Sequence, residues 1–419
     1  MALFETDRRI LALAFARMAD GVGNSFLIIV LPLYIASGVV EGRTFGLTES
    51  MIIGIVLSLV GFVSSFSQPV TGRVSDRTGK RKLYILLGLG GLTTANLLYL
   101  FAGSYVSLIA VRALQGVSIA FIIPTSVALV NELAGAGTRG GNMGVYNTFR
   151  LVGFGTGPVA AGGLVAAGPY SLAGVTLNGF EATFYLAAAA AAVGFLLVTI
   201  LVHDPAELER AGDDLSIDVF DGEGGLDPIF TLGVASLFMA TGIALFATLQ
   251  PEVNARLDQG STWFGIQFAA FVIAQIFLQV PIGRASDRWG RRPFILAGLV
   301  LLAPSTLLQG IVLDSAVMFL VRFAQGVAGA MVFAPALALA GDLATKGDSG
   351  TKLSVLTMAF GLGIAFGPLA AGFLVELSFV VPFAVGAALA LAGLVLVYTQ
   401  VEETVGTETP RTDAAAPQD

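Results

Sequence analysis

Apolar residues fill long blocks along nearly the whole chain, and short polar segments separate these blocks. A helix needs roughly 20 apolar residues to cross about 30 Å of hydrocarbon, and twelve blocks are long enough. The predicted membrane helices cover residues 10–36, 48–70, 83–102, 105–131, 142–167, 178–202, 228–250, 262–282, 293–312, 315–341, 352–376 and 379–400. The pattern predicts an all-α integral membrane protein with twelve transmembrane helices.

Composition agrees with a membrane location. The 419 residues are 55% hydrophobic and 12% charged, with a mean hydropathy of +0.84, whereas a soluble domain is about one quarter charged. The first block holds Arg17 and Asp20 and lacks a small-residue cleavage site. We therefore expect it to remain as a membrane helix, since a removable signal peptide has a shorter apolar core that ends at such a site.

Acidic residues are concentrated in two segments. Residues 203–226 hold eight acids and one base, and residues 402–419 hold five acids and one base, so the rest of the chain is net basic. Acidic, glycine-containing stretches of this kind are usually disordered. We expect an N-terminal six-helix bundle at 1–202, an acidic cytoplasmic linker at 203–227, a C-terminal six-helix bundle at 228–401 and a disordered acidic tail at 402–419.

Basic residues in the short loops predict the orientation, because Lys and Arg are enriched on the cytoplasmic side of a membrane protein. If the chain starts in the cytoplasm, sixteen bases in the loops, termini and span ends lie on the cytoplasmic side, and only Arg43 and Arg256 lie on the other side. The sequence therefore predicts a multi-pass protein of the cytoplasmic membrane with both termini in the cytoplasm.

Three sequence patterns occur once in each half of the chain. GRVSDRTGKR at 72–81 matches GRASDRWGRR at 283–292, VRALQGVSIAFIIP at 111–124 matches VRFAQGVAGAMVFAP at 321–335, and GFGTGPVAAGGLV at 153–165 matches GLGIAFGPLAAGFLV at 361–375. Each half has an even number of predicted spans, so the two copies run parallel and are related by an axis along the membrane normal.

With these motifs the chain resembles the major facilitator superfamily, and within it the twelve-span drug:proton antiporters, from the first span to the last. The duplicated G-x-x-x-D-R-x-G-[KR]-[KR] loop is the most specific element. R-x-x-Q-G at Arg112, Gln115 and Gly116 and the glycine-rich GP segment of span five come next. Ala161 stands where the antiporter pattern has a glycine, so the resemblance makes export a preference and not a conclusion.

The resemblance implies roles for two groups of residues. The repeated loop acts in the family as a cytoplasmic latch, although a plain topological anchor would explain the same bases; its residues are Gly72, Asp76, Arg77, Gly79, Arg81, Gly283, Asp287, Arg288, Gly290 and Arg292. The GP segments imply helix bends and contact between the bundles, although ordinary tight packing also explains them; these residues are Gly153, Gly157, Pro158, Gly162, Gly367 and Pro368.

A charged side chain near the bilayer centre costs at least ~2.5 kcal/mol, so each one is a functional candidate. Arg17, Asp20 and Asn24 share one face of the first predicted helix. We predict that Asp20 carries the proton, because burial favours its neutral form and a nearby Arg112 would favour its charged form. The alternative is a permanent ion pair of Asp20 with Arg17 or Arg112. Alignment of the two halves places Met239 opposite Asp20, which favours the first hypothesis.

The other polar side chains within the spans are assigned to the substrate cavity. Gln267, Gln275 and Gln279 share one helical face, where they would either bind a neutral or amphiphilic substrate or simply join helices. The remaining cavity candidates are Arg17, Asn24, Arg150 and Arg322.

We expect a secondary transporter that rocks two bundles around a central site and exports a small molecule in exchange for protons. The sequence contains no nucleotide-binding loop, metal cluster or nucleophile with a base partner, so we expect neither an enzyme nor a cofactor. Two alternatives stay open: uptake of a sugar, amino acid or organic anion by symport or facilitation, and a non-transporting membrane sensor. The expected partners of this monomer are a small-molecule substrate, protons and the lipid bilayer, with no nucleic acid.

Overall fold

The computed structural model describes residues 7–133, 139–172, 174–204, 219–220, 225–343 and 349–404. Most of the predicted linker at 203–227 and of the predicted tail at 402–419 lies outside these ranges. Side chains are described for the same residues, except for residues 76, 131, 139–141, 143–144, 172, 175 and 349–355.

Six long helices form the first half of the described chain. They are α1 (Arg8–Ala36), α2 (Glu49–Thr78), α3 (Arg81–Leu98), α4 (Tyr105–Leu133), α5 (Arg139–Ala167) and α6 (Gly179–Leu201). A short 3-10 turn, Tyr99–Phe101, extends α3. Two strands that the hydrophobic pattern did not predict, β1 (Tyr170–Leu172) and β2 (Val175–Leu177), form an antiparallel hairpin between α5 and α6.

The second half repeats this order with one additional short helix. Its helices are α7 (Pro228–Thr248), α8 (Gln250–Arg256), α9 (Ser261–Trp289), α10 (Arg291–Gln309), α11 (Ser315–Leu343), α12 (Ser349–Leu374) and α13 (Val381–Gln400). Twelve helices among the described residues are long and apolar enough to cross a membrane, and α8 with seven residues is not one of them. The protein is therefore an all-α, multi-pass membrane protein, as predicted.

Polar residues and glycines fix where the helices begin and end. The Asp7 side chain accepts a hydrogen bond from the Arg9 backbone amide (2.8 Å) at the start of α1, and Asn178 and Glu181 form a reciprocal capping box at the start of α6. Both satisfy backbone amides that have no partner within the helix. Gly79 follows α2 with φ 68°, and Gly290 follows α9 with φ 100°, backbone angles at which glycine is favoured.

Helices α1 and α7 lie at the centre of the molecule. In each, 72% of the most apolar segment is buried inside the protein, against 33–50% for the other spans. Polar side chains on α1 therefore face other helices instead of lipid. A charged side chain on α1 is therefore a candidate functional residue.

The two halves meet along two helix pairs, α2 with α12 and α5 with α9. The basic end of the molecule is defined here as the end that carries the α2–α3 and α9–α10 turns, and the other end is called the opposite end. A β-carbon at Gly54 would lie 2.5 Å from the Pro368 carbonyl oxygen, and one at Gly162 would lie 2.6 Å from the Ser261 carbonyl oxygen. Both contacts lie nearer the opposite end, where the halves are in backbone contact.

Candidate substrate and proton site

The candidate site begins where α1 packs tightly on α5. A β-carbon at Gly153 would collide with the Met18 carbonyl oxygen, and one at Gly157 would collide with the Ser25 side chain. The Ser25 hydroxyl also donates a hydrogen bond to the Gly153 carbonyl oxygen (3.4 Å). The glycines of the GP segment thus bring α5 against the face of α1 that continues to Asp20.

The second half repeats this packing and fixes the correspondence between α1 and α7. A β-carbon at Gly363 of α12 would collide with the Leu237 carbonyl oxygen of α7, just as one at Gly153 of α5 would collide with the Met18 carbonyl oxygen of α1. Counting two residues onward from each contact places Met239 at the position of Asp20. Met239 is fully buried, so the second half has an apolar side chain where the first half has a carboxylate.

Asp20 lies in a small buried group of charged and hydroxyl side chains. Its Oδ2 atom accepts a hydrogen bond from Arg17 in an ion pair whose side chains are 4% and 12% exposed, respectively. Oδ1 of Asp20 and Nε of Arg17 are buried and have no hydrogen-bond partner among the described residues. Arg150 and Tyr146 of α5 lie within electrostatic range of both charges, and the Tyr146 and Ser126 hydroxyls are hydrogen-bonded (2.5 Å).

Arg150 gives this group a net positive charge. Its guanidinium has no hydrogen bond or ion pair with the described part of the chain, and the single carboxylate of the group is already paired with Arg17. The group therefore contains two cations and one anion when Asp20 is ionised. A carboxyl oxygen and a guanidinium remain available for a proton, a substrate or water.

Arg112 does not join this group, which corrects the expectation that it lies beside Asp20. Its guanidinium donates to the carbonyl oxygens of Val56 (2.9 Å) and Leu57 (3.1 Å) in α2 and to Oε1 of Gln115 (3.0 Å). Asp20 lies twelve residues from the basic end of α1 and Arg112 seven residues from the opposite end of α4. At 1.5 Å per residue the two differ in depth by about 15 Å, so Arg112 instead joins α4 to α2.

Arg322 occupies the equivalent position in α11 with different neighbours. It bonds to Gln325, which bonds to Thr306 (3.0 Å), but three phenylalanine rings replace the carbonyl oxygens. The guanidinium carbon lies 4.4 Å from the ring centre of Phe246 and 5.1 Å from that of Phe271, and the third ring is that of Phe268 (5.6 Å). Cation–π attraction stabilises the buried charge there, which explains how Arg322 is buried without a carboxylate.

A family model described as Major Facilitator Superfamily matches residues 13–215 and 231–417. The chain belongs to the major facilitator superfamily. The resemblance noted in the motifs is thereby confirmed, and the gap between the two matched segments falls within the predicted linker and the start of α7.

Several relatives within the superfamily are named for drug resistance. The chain is 30% identical over 167 residues to Multidrug resistance protein 1 of Bacillus subtilis, covering 40% of this chain and 43% of that protein. It is 23% identical over 243 residues to the Quinolone resistance protein NorA of Staphylococcus aureus, covering 58% of each. The chain thus spans about half the length of these curated relatives.

Solved structures of transporters share the fold over most of the chain. A bacterial homolog of the human lysosomal transporter Spinster, in an inward-facing and occupied conformation, has a TM-score of 0.70 at 14% identity and covers 93% of this chain and 94% of that one. A point mutant of the nucleoside transporter NupG has a TM-score of 0.72 at 13% identity, with coverage of 94% and 100%. Both folds belong to transporters and not to enzymes.

The glutamines predicted to share the cavity are separated by the major facilitator fold. Gln267 is fully buried near the opposite end, where its Nε2 donates to Gln259 (2.7 Å) and to the Ser315 carbonyl oxygen (3.1 Å). It therefore stabilises a connection between helices and does not line a cavity. Gln275 and Gln279 are half-buried, as is Asn24, and no hydrogen bond to these side chains is found among the described residues.

The repeated basic loop pairs within each half. Arg81 is nearly buried and donates to Glu132 at the end of α4 (2.7 Å) and to Ser75 (3.1 Å). In the second half Arg291, not the predicted Arg292, forms the equivalent ion pair, with Asp342 at the end of α11. The reason is the length of the turn: two residues separate α2 from α3, whereas one residue separates α9 from α10. The first arginine of α10 therefore comes one position earlier in the repeat than Arg81 of α3.

The remaining latch residues lie at the surface of the basic end. Arg292 donates to the Tyr398 carbonyl oxygen (2.6 Å), and Asp287 approaches Arg291 (3.4 Å). Arg77 and Arg288 are exposed in the last turns of α2 and α9. A β-carbon at Gly72 would only touch Pro124 (3.8 Å), and one at Gly283 would meet open space. The Asp76 side chain lies outside the described residues.

The GP segments divide their contacts between the two halves. Gly153 and Gly157 pack on α1 within the first half, whereas the Pro158 carbonyl oxygen lies 2.5 Å from a β-carbon placed at Gly265 in the second half. In α12, Gly367 packs on α7 and the Pro368 carbonyl oxygen faces Gly54 of α2. Each GP motif therefore sits where packing within a half changes to packing between the halves.

Sequence reasoning missed Glu132 and Asp342. A signal was present, because each acid follows by 20 residues the arginine of the repeated R-x-x-Q-G motif, Arg112 or Arg322. It also missed the hydrogen bonds that join the two halves at the opposite end, where Ser50 donates to Glu252 (2.5 Å) and Thr48 donates to Glu376 (2.5 Å).

Proposed function

We propose that this protein is a secondary transporter that exports a lipophilic small molecule in exchange for protons, with Asp20 as the proton carrier. The observation that carries the proposal is the buried Asp20 carboxyl group, which has one oxygen paired with Arg17 and one oxygen without a described partner. An ionisable group in a membrane span is costly and usually marks an ion pathway. Met239 at the equivalent place of α7 supports this, because a purely architectural charge would be expected in both halves.

Protonation of Asp20 changes which groups are available in the site. When Asp20 is ionised, its carboxylate holds the Arg17 guanidinium. When Asp20 takes up a proton, its attraction to Arg17 falls and both side chains become free to reorient. A cationic or hydrogen-bond-donating substrate would compete with the proton for the same carboxylate. Such competition makes substrate binding release a proton, as proton exchange requires.

The hydrogen bonds between the two halves support alternating access. Among the described residues, those joining the halves lie at the opposite end: Thr48 to Glu376, Ser50 to Glu252, and Ser261 to the Gly162 carbonyl oxygen (3.0 Å). At the basic end, Arg81 and Arg291 pair with acids of their own half. We infer that the basic end faces the cytoplasm, because Lys and Arg are enriched there. The two halves are thus joined on the outer side and available to separate on the cytoplasmic side.

Half-buried amides supply polar contacts for a substrate. Gln275 and Gln279 of α9 and Asn24 of α1 come from different halves and have no hydrogen bond to the described part of the chain. Uncharged amides suit neutral or amphiphilic molecules, which agrees with relatives named for multidrug and quinolone resistance. One chain supplies both halves, so we propose a monomer in the cytoplasmic membrane with both termini in the cytoplasm.

One observation favours a second candidate, the uptake of an organic anion together with protons. The group around Asp20 carries a net positive charge, and Arg150 has no described carboxylate partner. An anion would bind Arg150, and protonation of Asp20 would free Arg17 to bind it as well. Proton and anion would then reinforce each other's binding and move in the same direction.

Inside-out vesicles with an acidic lumen separate these functions. Cationic, neutral and anionic compounds are added while lumenal pH is followed. Exchange predicts that a cationic or neutral compound raises lumenal pH, and that Asp20→Asn abolishes this rise.

Asp258→Asn is a matched control, because it makes the same chemical change at an exposed residue with φ 47°, an angle that Asn tolerates. Acidification by an anion would favour cotransport, and an unchanged response in Asp20→Asn would contradict Asp20 as the carrier.

A further inference from the structure

A cluster of carboxylates lies at the outer end of the contact between the two halves. The outer rim cluster is defined here as Thr48, Glu49, Ser50, Glu252 and Glu376. Ser50 donates to Oε1 of Glu252 (2.5 Å) and Thr48 donates to Oε1 of Glu376 (2.5 Å). Both hydrogen bonds run from the start of α2 to the second half, so they must break if the halves separate on this side.

Glu252 differs from the other two carboxylates in its surroundings. It lies on α8, a seven-residue helix that directly follows α7 and that packs against α1 and α9. Its Oε2 atom is fully buried and has no hydrogen-bond partner among the described residues. Glu49 is exposed at the start of α2. A buried carboxylate oxygen without a donor is unfavourable when charged, so this atom is suited to hold a proton.

The charged groups facing Glu252 are acidic. The nearby carboxylates are Glu49 from α2 and Glu376 after α12, and no cation pairs with Glu252 within the described residues. Arg256 lies one turn further along α8, and its guanidinium stacks on Phe379 (4.9 Å). Burial raises the pKa of Glu252 and the charges of Glu49 and Glu376 raise it further, whereas the hydrogen bonds from Ser50 and from the backbone amide of Glu252 itself lower it.

We propose that Glu252 is a second proton-binding site, at the outer rim, and that its proton holds the outer ends of the two halves together. A proton on Oε2 satisfies the buried oxygen and leaves Oε1 to accept from Ser50. Without the proton, three carboxylates of like charge lie close together across the contact. Their repulsion and the cost of the buried charge then favour separation of the halves.

The direction of the pH effect follows from linkage. The closed state binds the Glu252 proton more tightly than an open state in which water reaches the carboxylate. Closure is therefore favoured below the raised pKa and is lost as pH rises through it, with up to a tenfold change in the closed-to-open ratio per pH unit for one proton. The assignment of this end to the outside rests on the orientation proposed above, but the pH effect itself does not depend on the role of Asp20.

Electron-spin distance measurements between the halves test the proposal. The chain has no cysteine, so Gly103→Cys and Leu313→Cys place labels only in the α3–α4 and α10–α11 connections, at the outer end of each half. A β-carbon at Gly103 meets nothing within 4 Å, and Leu313 is 68% exposed. Purified full-length protein in lipid nanodiscs is measured without substrate from pH 5.5 to 8.5. We expect a short distance at low pH and a growing population at longer distance as pH rises.

Variants assign the response to one carboxyl group. Glu252→Gln keeps an acceptor for Ser50 and carries no charge, so we expect the short distance at every pH. Glu49→Gln removes one neighbouring charge without removing a hydrogen bond between the halves, so we expect a smaller pH-dependent change. Glu41→Gln is the matched control at an exposed outer carboxylate and is expected to respond as the unmodified protein does.

Three results would overturn the proposal. These are distances in the unmodified protein that do not change with pH, a Glu252→Gln protein that still opens as pH rises, and a response that is lost in Asp20→Asn but kept in Glu252→Gln. Failure of substrate transport in vesicles would leave these distance measurements unaffected, so the two proposals fail independently.

Discussion

Arg81 donates to Glu132 (2.7 Å) and joins the start of α3 to the end of α4, with side chains that are 5% and 14% exposed. The loop motif that suggested a latch thus contains an arginine that binds an acid of its own half. Removal of one partner from a buried ion pair leaves the other charge without compensation. The pair is therefore expected to stabilise the first half in every transport state.

Glu132→Ala is expected to destabilise the protein by about 3 kcal/mol, because the buried Arg81 then loses its ion pair with Glu132. Thermal unfolding in detergent measures the change as a lower midpoint. Glu41→Ala is the control, since Glu41 is exposed and its removal should leave the midpoint unchanged. Equal midpoints for the two variants would show that the pair contributes nothing to stability.

Asp342→Ala is expected to have a smaller effect than Glu132→Ala, although Asp342 is the equivalent acid in the second half. Asp342 is 39% exposed, and Arg291 also approaches Asp287 (3.4 Å). Partly exposed ion pairs are usually worth less than about 1 kcal/mol. The same unfolding measurement compares the two variants, and a larger loss for Asp342→Ala would contradict this ranking.

Gly153→Ala is expected to cost about 1–3 kcal/mol, because the new methyl group collides with the Met18 backbone and forces α1 and α5 apart. Gly163→Ala lies in the same helix, and a β-carbon there meets nothing within 4 Å. It is expected to be neutral or to stabilise the helix by up to about 1 kcal/mol. Unfolding midpoints test the pair of variants, and equal shifts would argue against close packing at Gly153.

The twelve spans, the duplication and the equivalence of Asp20 with Met239 were predictable, because apolar block length and internal sequence identity determine them. The neighbours of Asp20 were not, because the sequence does not show which helix faces pack against each other. Arg112 was expected beside Asp20 because a nearby base would favour the charged carboxylate, whereas counting residues from the ends of α1 and α4 separates the two by about 15 Å. Gln267 shared a helical face with Gln275, but their different depths give them different surroundings.

Arg112→Lys is expected to lower stability by about 1.5–3 kcal/mol, because an ammonium group cannot replace the fork of hydrogen bonds to Val56, Leu57 and Gln115. Proton exchange per folded molecule should persist, since Arg112 does not contact Asp20. Unfolding midpoints and vesicle transport, normalised to the amount of folded protein, check both parts. Loss of exchange in a stably folded variant would restore Arg112 to the proton pathway.

Proton release upon substrate binding tests the role of Asp20 most directly. Purified protein in weakly buffered detergent solution is mixed with tetraphenylphosphonium, or with a compound that raised lumenal pH in vesicles, while bound compound and released protons are both measured. Competition at Asp20 predicts release of up to about one proton per bound molecule at a pH where Asp20 is protonated, and no release from Asp20→Asn, which should still bind the compound. Equal proton release from Asp20→Asn and the unmodified protein would contradict the account.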